Sequence, residues 1–196
     1  MSDPHLQDGE LTDATLLARA AAGEAAAFDA FVGRHQASVF RFARTQVARP
    51  DAAEDLLQQT FLSAWQAAGA FRGDGSARGW LFTITRHAAT RWRERDARAA
   101  IDDTPVDQLG LEAGWGGPSP ELQAMHRQMQ ARVAEALAGL APEDREILTL
   151  RDLDGVPGDE AAALLGLGVA AMKSRLHRAR LRLAVSLREG GCDAAR

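Results

Sequence analysis

Cysteine occurs once in the 196 residues, as Cys192, and tyrosine does not occur at all. A single thiol excludes an intrachain disulfide framework and a cysteine-built structural zinc site, so Cys192, near the polar C-terminus, reads as a bystander. Lysine is nearly missing as well: Lys173 is the sole one among 23 Lys and Arg residues. No apolar run approaches the ~20 residues that span a bilayer. The opening MSDPHLQDGELTD has no basic segment followed by an apolar one, so no membrane insertion is expected and the cytoplasm is the expected compartment. There is no Gly-x-Ser-x-Gly elbow and no His-Glu-x-x-His pair. The glycines Gly73, Gly75 and Gly79 superficially suggest a phosphate-binding loop, but no strand precedes them and no Lys-Ser or Lys-Thr follows. Asp102 and Asp103 sit where nothing would shift them toward acid–base work. The sequence therefore points to no catalytic residue, no metal and no cofactor.

What is present is a globular balance, 46% hydrophobic and 26% charged residues, with Ala, Leu, Arg, Glu and Gln dominant and almost no alternation of β-branched or aromatic residues with polar ones. That composition predicts an all-α chain. A first helix starts at Thr12 or Asp13 and stops at Gly23, and a second runs from about Glu24 to Val47 with Phe28, Phe31, Val32, His35, Val39, Phe42 and Ala43 at helical spacing. Pro50 breaks it. Asp51 with Glu54 has the arrangement of a capping box and opens a third helix that Gly69 closes. A fourth spans about Ala77 to Arg98. Gly, Pro and Asp then displace the helical period, which predicts a flexible acidic linker. Ser119 and Pro120 start a helix ending near Gly139, Pro142 starts another ending at Leu153 to Gly155, and two more cover Asp159 to Leu165 and Val169 to Leu187. The expected organisation is a tail over 1–11, a helical domain over 12–98, a linker over 99–118, a second helical domain over 119–189 and a tail over 190–196.

The net charge of −4 hides a strong segregation. Residues 70–99 hold 7 Arg against 3 acids and residues 166–196 hold 7 bases against 2 acids, while residues 100–125 carry 5 acids and no base. Two basic patches separated by acidic sequence are the footprint of a chain that meets a polyanion twice.

The segment DEAAALLGLGVAAMKSRLHRARLRLA has the form of a helix-turn-helix, a short helix, a glycine turn over Gly166 to Gly168 and a longer basic helix. Met172, Leu176, Ala179, Leu183 and Leu187 form its apolar stripe. Lys173, Ser174, His177 and Arg178 lie on a neighbouring face near the N-terminal end, where a recognition helix meets base edges, and Arg175, Arg180 and Arg182 flank them toward phosphates. A solvated basic helix would account for the charges but not for the glycine turn or the helix before it. His177 has no partner at metal-ligand spacing, so a base or phosphate contact suits it better. The run VPGDEAAALLGLGVAAMKSRLHRARLRL resembles the last domain of the extracytoplasmic-function (ECF) group of bacterial RNA polymerase sigma factors, whose pattern EIAxxLGxxxGTVKSRLxRAR reads the promoter's upstream hexamer at −35. LAGLAPEDREILTLRDLDG is similar to the helix the family places before it. The resemblance implies −35 contacts from Ala171, Lys173, Ser174, Arg175, His177 and Arg178. Pro157 and Gly158 depart from the family's usual Ser and aromatic, and Ala170 and Ala171 from its Gly and Thr.

The first domain carries a second match. DAAEDLLQQTFLSAWQAAGAFRGDGSARGWLFTITRHAATRWRER resembles the family's stretch AEDLxQexFlxxw…f…sfrxWLxxIaRnxaxdxxRr. Asp55, Gln58, Gln59 and Leu62 share an exposed side of the third helix, suited to docking on another protein's helix, and the resemblance makes that partner the β′ coiled-coil of core RNA polymerase. Residues 71–95 interleave Arg with aromatics, a composition that tracks phosphates and stacks bases. The resemblance implies that the loop from Phe71 to Gly79 captures a flipped base of the −10 element, with Phe71, Arg72, Gly73, Ser76, Arg78, Arg86 and His87 as contacts. Trp80, Leu81, Ile84 and Ala88 read as core. His87 stands where the family has Asn and Arg91 where it has Asp, which implies an altered −10 preference. The expected function is thus promoter-directed initiation with strand opening, partnered by core polymerase, promoter DNA and an anti-sigma factor. The alternative is a helix-turn-helix regulator that is not a polymerase subunit.

Overall fold

The computed structural model describes residues 11–99 and 120–193, so all of the linker but residue 99, nearly all of the N-terminal tail and the last three residues lie outside the described residues. Four helices build the first half: α1 (Asp13–Ala21), α2 (Ala25–Gln46), α3 (Pro50–Gln66) and α4 (Ala77–Ala99), with a 3₁₀ turn over Ala68–Ala70. Four more build the second: α5 (Pro120–Ala138), α6 (Pro142–Leu148), α7 (Gly158–Leu165) and α8 (Val169–Asp193), with a π-helical turn over Thr149–Leu153 after α6. No strand occurs among the described residues.

Local chemistry sets most of the boundaries. Thr12 caps α1, its Oγ1 accepting the Thr15 N–H at 3.2 Å, a bond that satisfies one of the donors a helix start leaves open. The capping box expected at Asp51 and Glu54 does not form. Instead α3 starts at Pro50, whose missing N–H costs nothing at a first helical position, and the Asp51 carboxylate pairs with Arg49. Beyond α7, Gly166 adopts the left-handed conformation with φ +66°. The Leu167 N–H then returns to the Ala162 carbonyl at 2.9 Å, the closure that only a residue without a Cβ penalty makes cheaply. At the other end α8 runs to Asp193 rather than to Leu187. Gly190 and Gly191 weaken a helix by roughly 1 kcal/mol each and do not by themselves end it.

In the first half Leu17, Phe31, Phe42, Leu56, Leu81 and Phe82 are fully buried, and Phe42 stacks on Phe82 with ring centroids 4.5 Å apart. Thr60 and Thr85, both buried, tie α3 to α4 through a 3.2 Å hydroxyl contact. Leu81 and Ala88 are core as expected, while Trp80 and Ile84 are half-buried against it. In the second half Ile147, Leu148, Leu150, Val156 and Met172 fill the centre.

The halves also pack directly on each other, α2 against α6 and α4 against α7, and one apolar cluster runs through both. Polar bonds line this seam. Arg41 pairs with the buried Asp154, Gln46 Nε2 donates to Glu146 Oε1 at 3.0 Å, and Arg78 donates to the Asp154 carbonyl. The tether is therefore not the one connection between them.

Candidate nucleic-acid interface

On α8 the apolar stripe is seated as its period requires: Met172, Leu176 and Ala179 are buried. A rotation of about 100° per residue then turns the next positions outward. Ala171, Lys173, Ser174, His177 and Arg178 are all exposed, and Arg175 is half-buried beside them. Arg180 and Arg182 behave differently from the flanking phosphate contacts expected of them. Arg180 forks onto Asp152, with Nε and Nη2 at 2.9 and 2.5 Å from the two carboxylate oxygens. These bonds hold its guanidinium above the ordinary arginine value. Arg182 Nη1 lies 2.5 Å from Oδ2 of the buried Asp144. Both brace α8 against the elements before it.

The loop after α3 and the first turns of α4 enclose a cavity of about 510 Å³. Phe71, Arg72, Gly73, Ser76, Arg86 and His87 all line it. Gly73 takes φ +75°, which bends the loop around the opening. Phe71 packs on Trp80 at 5.3 Å to form an aromatic wall, while the Arg72 guanidinium, 84% exposed, stands at the rim 3.2 Å from Asp74. His87 is exposed nearly three turns along α4. Arg78 is the exception. It points away from this cavity and into the seam, where its neighbours include Asp13, His35 and Asp154.

The far wall contains residues that sequence reasoning did not single out: Glu160, Ala163 and Leu164 of α7. Glu160 Oε1 accepts the Ser76 N–H at 3.1 Å and Oε2 accepts the Ser76 hydroxyl at 2.6 Å. Arg86 donates to the Leu164 carbonyl at the end of α7. In sequence Glu160 reads as an acid in the first turn of a helix, where the dipole favours it, and its reach across 84 positions leaves no local sign.

Elsewhere on the first half, Asp55, Gln58, Gln59 and Leu62 present one exposed face of α3. They line a groove of about 450 Å³ together with Trp92, Arg95 and Asp96 of α4. Leu62 is 61% exposed.

Comparison with known proteins decides the family. Residues 31–99 match Sigma-70 region 2 and residues 130–183 match Sigma-70 region 4. The RNA polymerase sigma factor CnrH of Cupriavidus metallidurans is 35% identical over 182 residues, 91% of this chain and 95% of that protein. This chain belongs to the RNA polymerase sigma factors of the ECF type. The ECF sigma-E factor of Escherichia coli K12 is 29% identical over 87% of the chain and 92% of its own length. Among solved structures, CnrH in complex with the cytosolic domain of CnrY superposes with a TM-score of 0.61 at 31% identity, covering 90% of this chain and 97% of that one. The sigma factor RpoE with the anti-sigma factor NepR from Bartonella quintana gives 0.62 at 27%, covering 82% and 96%. As a sigma factor the protein directs promoter-specific initiation of transcription, and the reading as a free-standing regulator is not favoured. The region 2 match ends with α4, and the region 4 match contains α6, α7 and the exposed face of α8. No helix of the described residues is long and apolar enough to cross a membrane.

Proposed function

We propose that this sigma factor divides its work among three surfaces. The exposed face of α8, carrying Ala171, Lys173, Ser174, His177 and Arg178 with Arg175 at its edge, reads the −35 element in the major groove. The cavity behind Phe71, Arg72, Gly73 and Ser76, continued by Arg86 and His87 along α4, takes a flipped base of the −10 element and so helps hold the strands apart. An unstacked base lost to the duplex is offset by stacking on an aromatic wall, worth about 1–3 kcal/mol per base. The α3 face of Asp55, Gln58, Gln59 and Leu62 docks on the β′ coiled-coil of core polymerase. The observation that carries this division is the presence, in one chain, of an exposed recognition-helix face and a separate aromatic-walled cavity rimmed by arginine.

The protein's part is binding and strand capture, with bond formation left to the polymerase, and the compartment is the cytoplasm where that polymerase works. An anti-sigma protein is the further partner, supported by the two solved relatives, one bound to NepR and the other to the cytosolic domain of CnrY. His87 and Arg91, which depart from the family pattern, tune the −10 preference.

Run-off transcription from a promoter library with purified core polymerase tests the proposal. Discrete transcripts are expected only when core and this protein are both present, with a shared upstream hexamer among them. Footprints on duplex DNA that form equally well without core would return the protein to the regulator class.

A further inference from the structure

We infer that the cavity lined by α2, α5 and the α6 region is a binding site for a small amphipathic anion, an apolar body carrying one carboxylate or phosphate head.

The cavity measures about 300 Å³, at the small end of the range of about 300–1,000 Å³ that ligand pockets span. Phe40 of α2, Val133 and Leu137 of α5 and Leu153 at the end of the π-helical turn give it apolar walls, while Arg41, Arg44 and Arg145 bring cationic groups to it. It shares no lining residue with the aromatic-walled cavity or with the α3 groove, so neither of the surfaces described above accounts for it.

The balance of charge points to the class of ligand. An arginine keeps its proton in a protein, so a buried one calls for a counter-charge. Arg44 is 8% exposed. Its hydrogen bond among the described residues runs from Nη1 to the Ala48 carbonyl at 3.2 Å, and it meets no carboxylate there. Arg145, which shares the cavity, donates to carbonyls as well, those of Ala138 and Leu140. Burial first, and then the charge of Arg145, push the Arg44 guanidinium below its ordinary pKa. The acids of α6 and the turn after it are committed elsewhere. Asp144 pairs with Arg182 and Asp154 with Arg41, and Glu146 accepts from Gln46 and faces Arg86.

Two guanidinium groups therefore line one cavity with no carboxylate bound to either among the described residues. The Nε atoms of Arg41 and Arg145 are also buried there without an acceptor. A guanidinium fork matches the two oxygens of a carboxylate or phosphate head. The apolar walls call for a hydrocarbon body behind that head, whose burial adds affinity that a bare ion lacks.

The test uses the full chain with octanoate and octyl phosphate as probes, and with octanol, acetate and inorganic phosphate as controls. Isothermal titration calorimetry reads affinity, and the thermal midpoint reads stabilisation by a ligand that binds the folded chain. At least one octyl anion is expected to bind at one site and raise the midpoint, with octanol and the bare head groups about tenfold weaker or more; the better octyl anion tells a carboxylate site from a phosphate site. Arg44→Met removes the charge and keeps an apolar chain. It should unfold no lower than the parent and bind the preferred octyl anion and octanol alike. Ala134→Leu, at a half-buried position on the cavity wall, should fill the space and abolish binding. Absence of binding by both octyl anions overturns the site. Octanol as tight as the octyl anions in the parent overturns the part given to the arginines, and acetate or phosphate as tight overturns the apolar body. Binding undiminished in both Arg44→Met and Ala134→Leu puts the ligand elsewhere and overturns the inference.

Discussion

His35 Nε2 lies 2.9 Å from Oδ2 of Asp13, joining the middle of α2 to the first residue of α1. His35 is buried and its Nδ1 has no partner among the described residues, which suits a neutral ring that donates from Nε2 and leaves Nδ1 bare. Protonation would bury an unsatisfied N–H. Burial accordingly lowers the His35 pKa below its ordinary value, against the opposing pull of Asp13 and with help from Arg78 and Arg34. The unfolded chain, with an ordinary histidine near 6.5, takes up the proton first as pH falls. The stability tied to a neutral His35 is therefore complete above about pH 6.5 and is lost on acidification through the folded-state value. Urea midpoints measured between about pH 7.5 and 5.5 should fall for the native chain and fall less steeply for His35→Gln. Parallel slopes would remove His35 as the cause.

On α8 the two kinds of arginine separate by experiment. Arg178 is exposed and makes no salt bridge among the described residues, so Arg178→Ala should weaken binding to the −35 element with no change in the urea midpoint or in core affinity. Arg182→Ala should do the reverse. It strands the Asp144 carboxylate, 4% exposed, at a cost of about 1–3 kcal/mol for a buried acceptor left unpaired. Equal loss of core binding and DNA binding in Arg178→Ala would show that the face is misassigned.

The contrast between these arginines shows what a sequence can disclose. Helical periodicity is a local rule, so the stripe of Met172, Leu176 and Ala179 was readable, and with it the outward direction of Lys173 and Arg178. The ion pairs of Arg180 with Asp152 and Arg182 with Asp144 join residues 28 and 38 positions apart, and no local pattern announces them. The same holds for the π-helical turn at Thr149–Leu153. Its sequence, TLRDL, continues a helical run, but the register shifts where Asp154 is drawn into the seam by Arg41 and the Val156 N–H bonds to the Leu150 carbonyl at 2.8 Å. Each half closes its own amphipathic pattern, so the sequence shows two helical domains and gives no sign that Glu160 reaches Ser76.

The α3 face offers a cleaner surface for mutation. Gln58 and Leu62 contribute nothing to the core, Leu62 being 61% exposed, whereas Leu56 and Phe61 between and behind them are buried. The double substitution Gln58→Ala, Leu62→Ala should lower affinity for core polymerase about tenfold or more, a change of roughly 1.4 kcal/mol. The thermal midpoint and the affinity for −35 duplex should stay at the native level. Titration of labelled core with both proteins checks it, and an unchanged core affinity would remove this docking surface.

Phe71 and Phe82 stand eleven residues apart on the same stretch of chain and should respond to truncation in opposite ways. Phe82 is fully buried and stacked on Phe42, so Phe82→Ala opens a cavity in the first half at a cost of about 3–5 kcal/mol. Its signature is a collapse of the unfolding midpoint. Phe71 is half-buried at the cavity wall against Trp80; its truncation removes little core but takes away a stacking face worth about 1–3 kcal/mol to an unpaired base. Phe71→Ala should therefore keep its core affinity and most of its stability while strand opening, read by permanganate reactivity of promoter thymines in the presence of core, falls at least several-fold. Undiminished reactivity in a well-folded Phe71→Ala protein would place strand capture elsewhere on the loop or on α4, with Arg72 and His87 as the residues to test next.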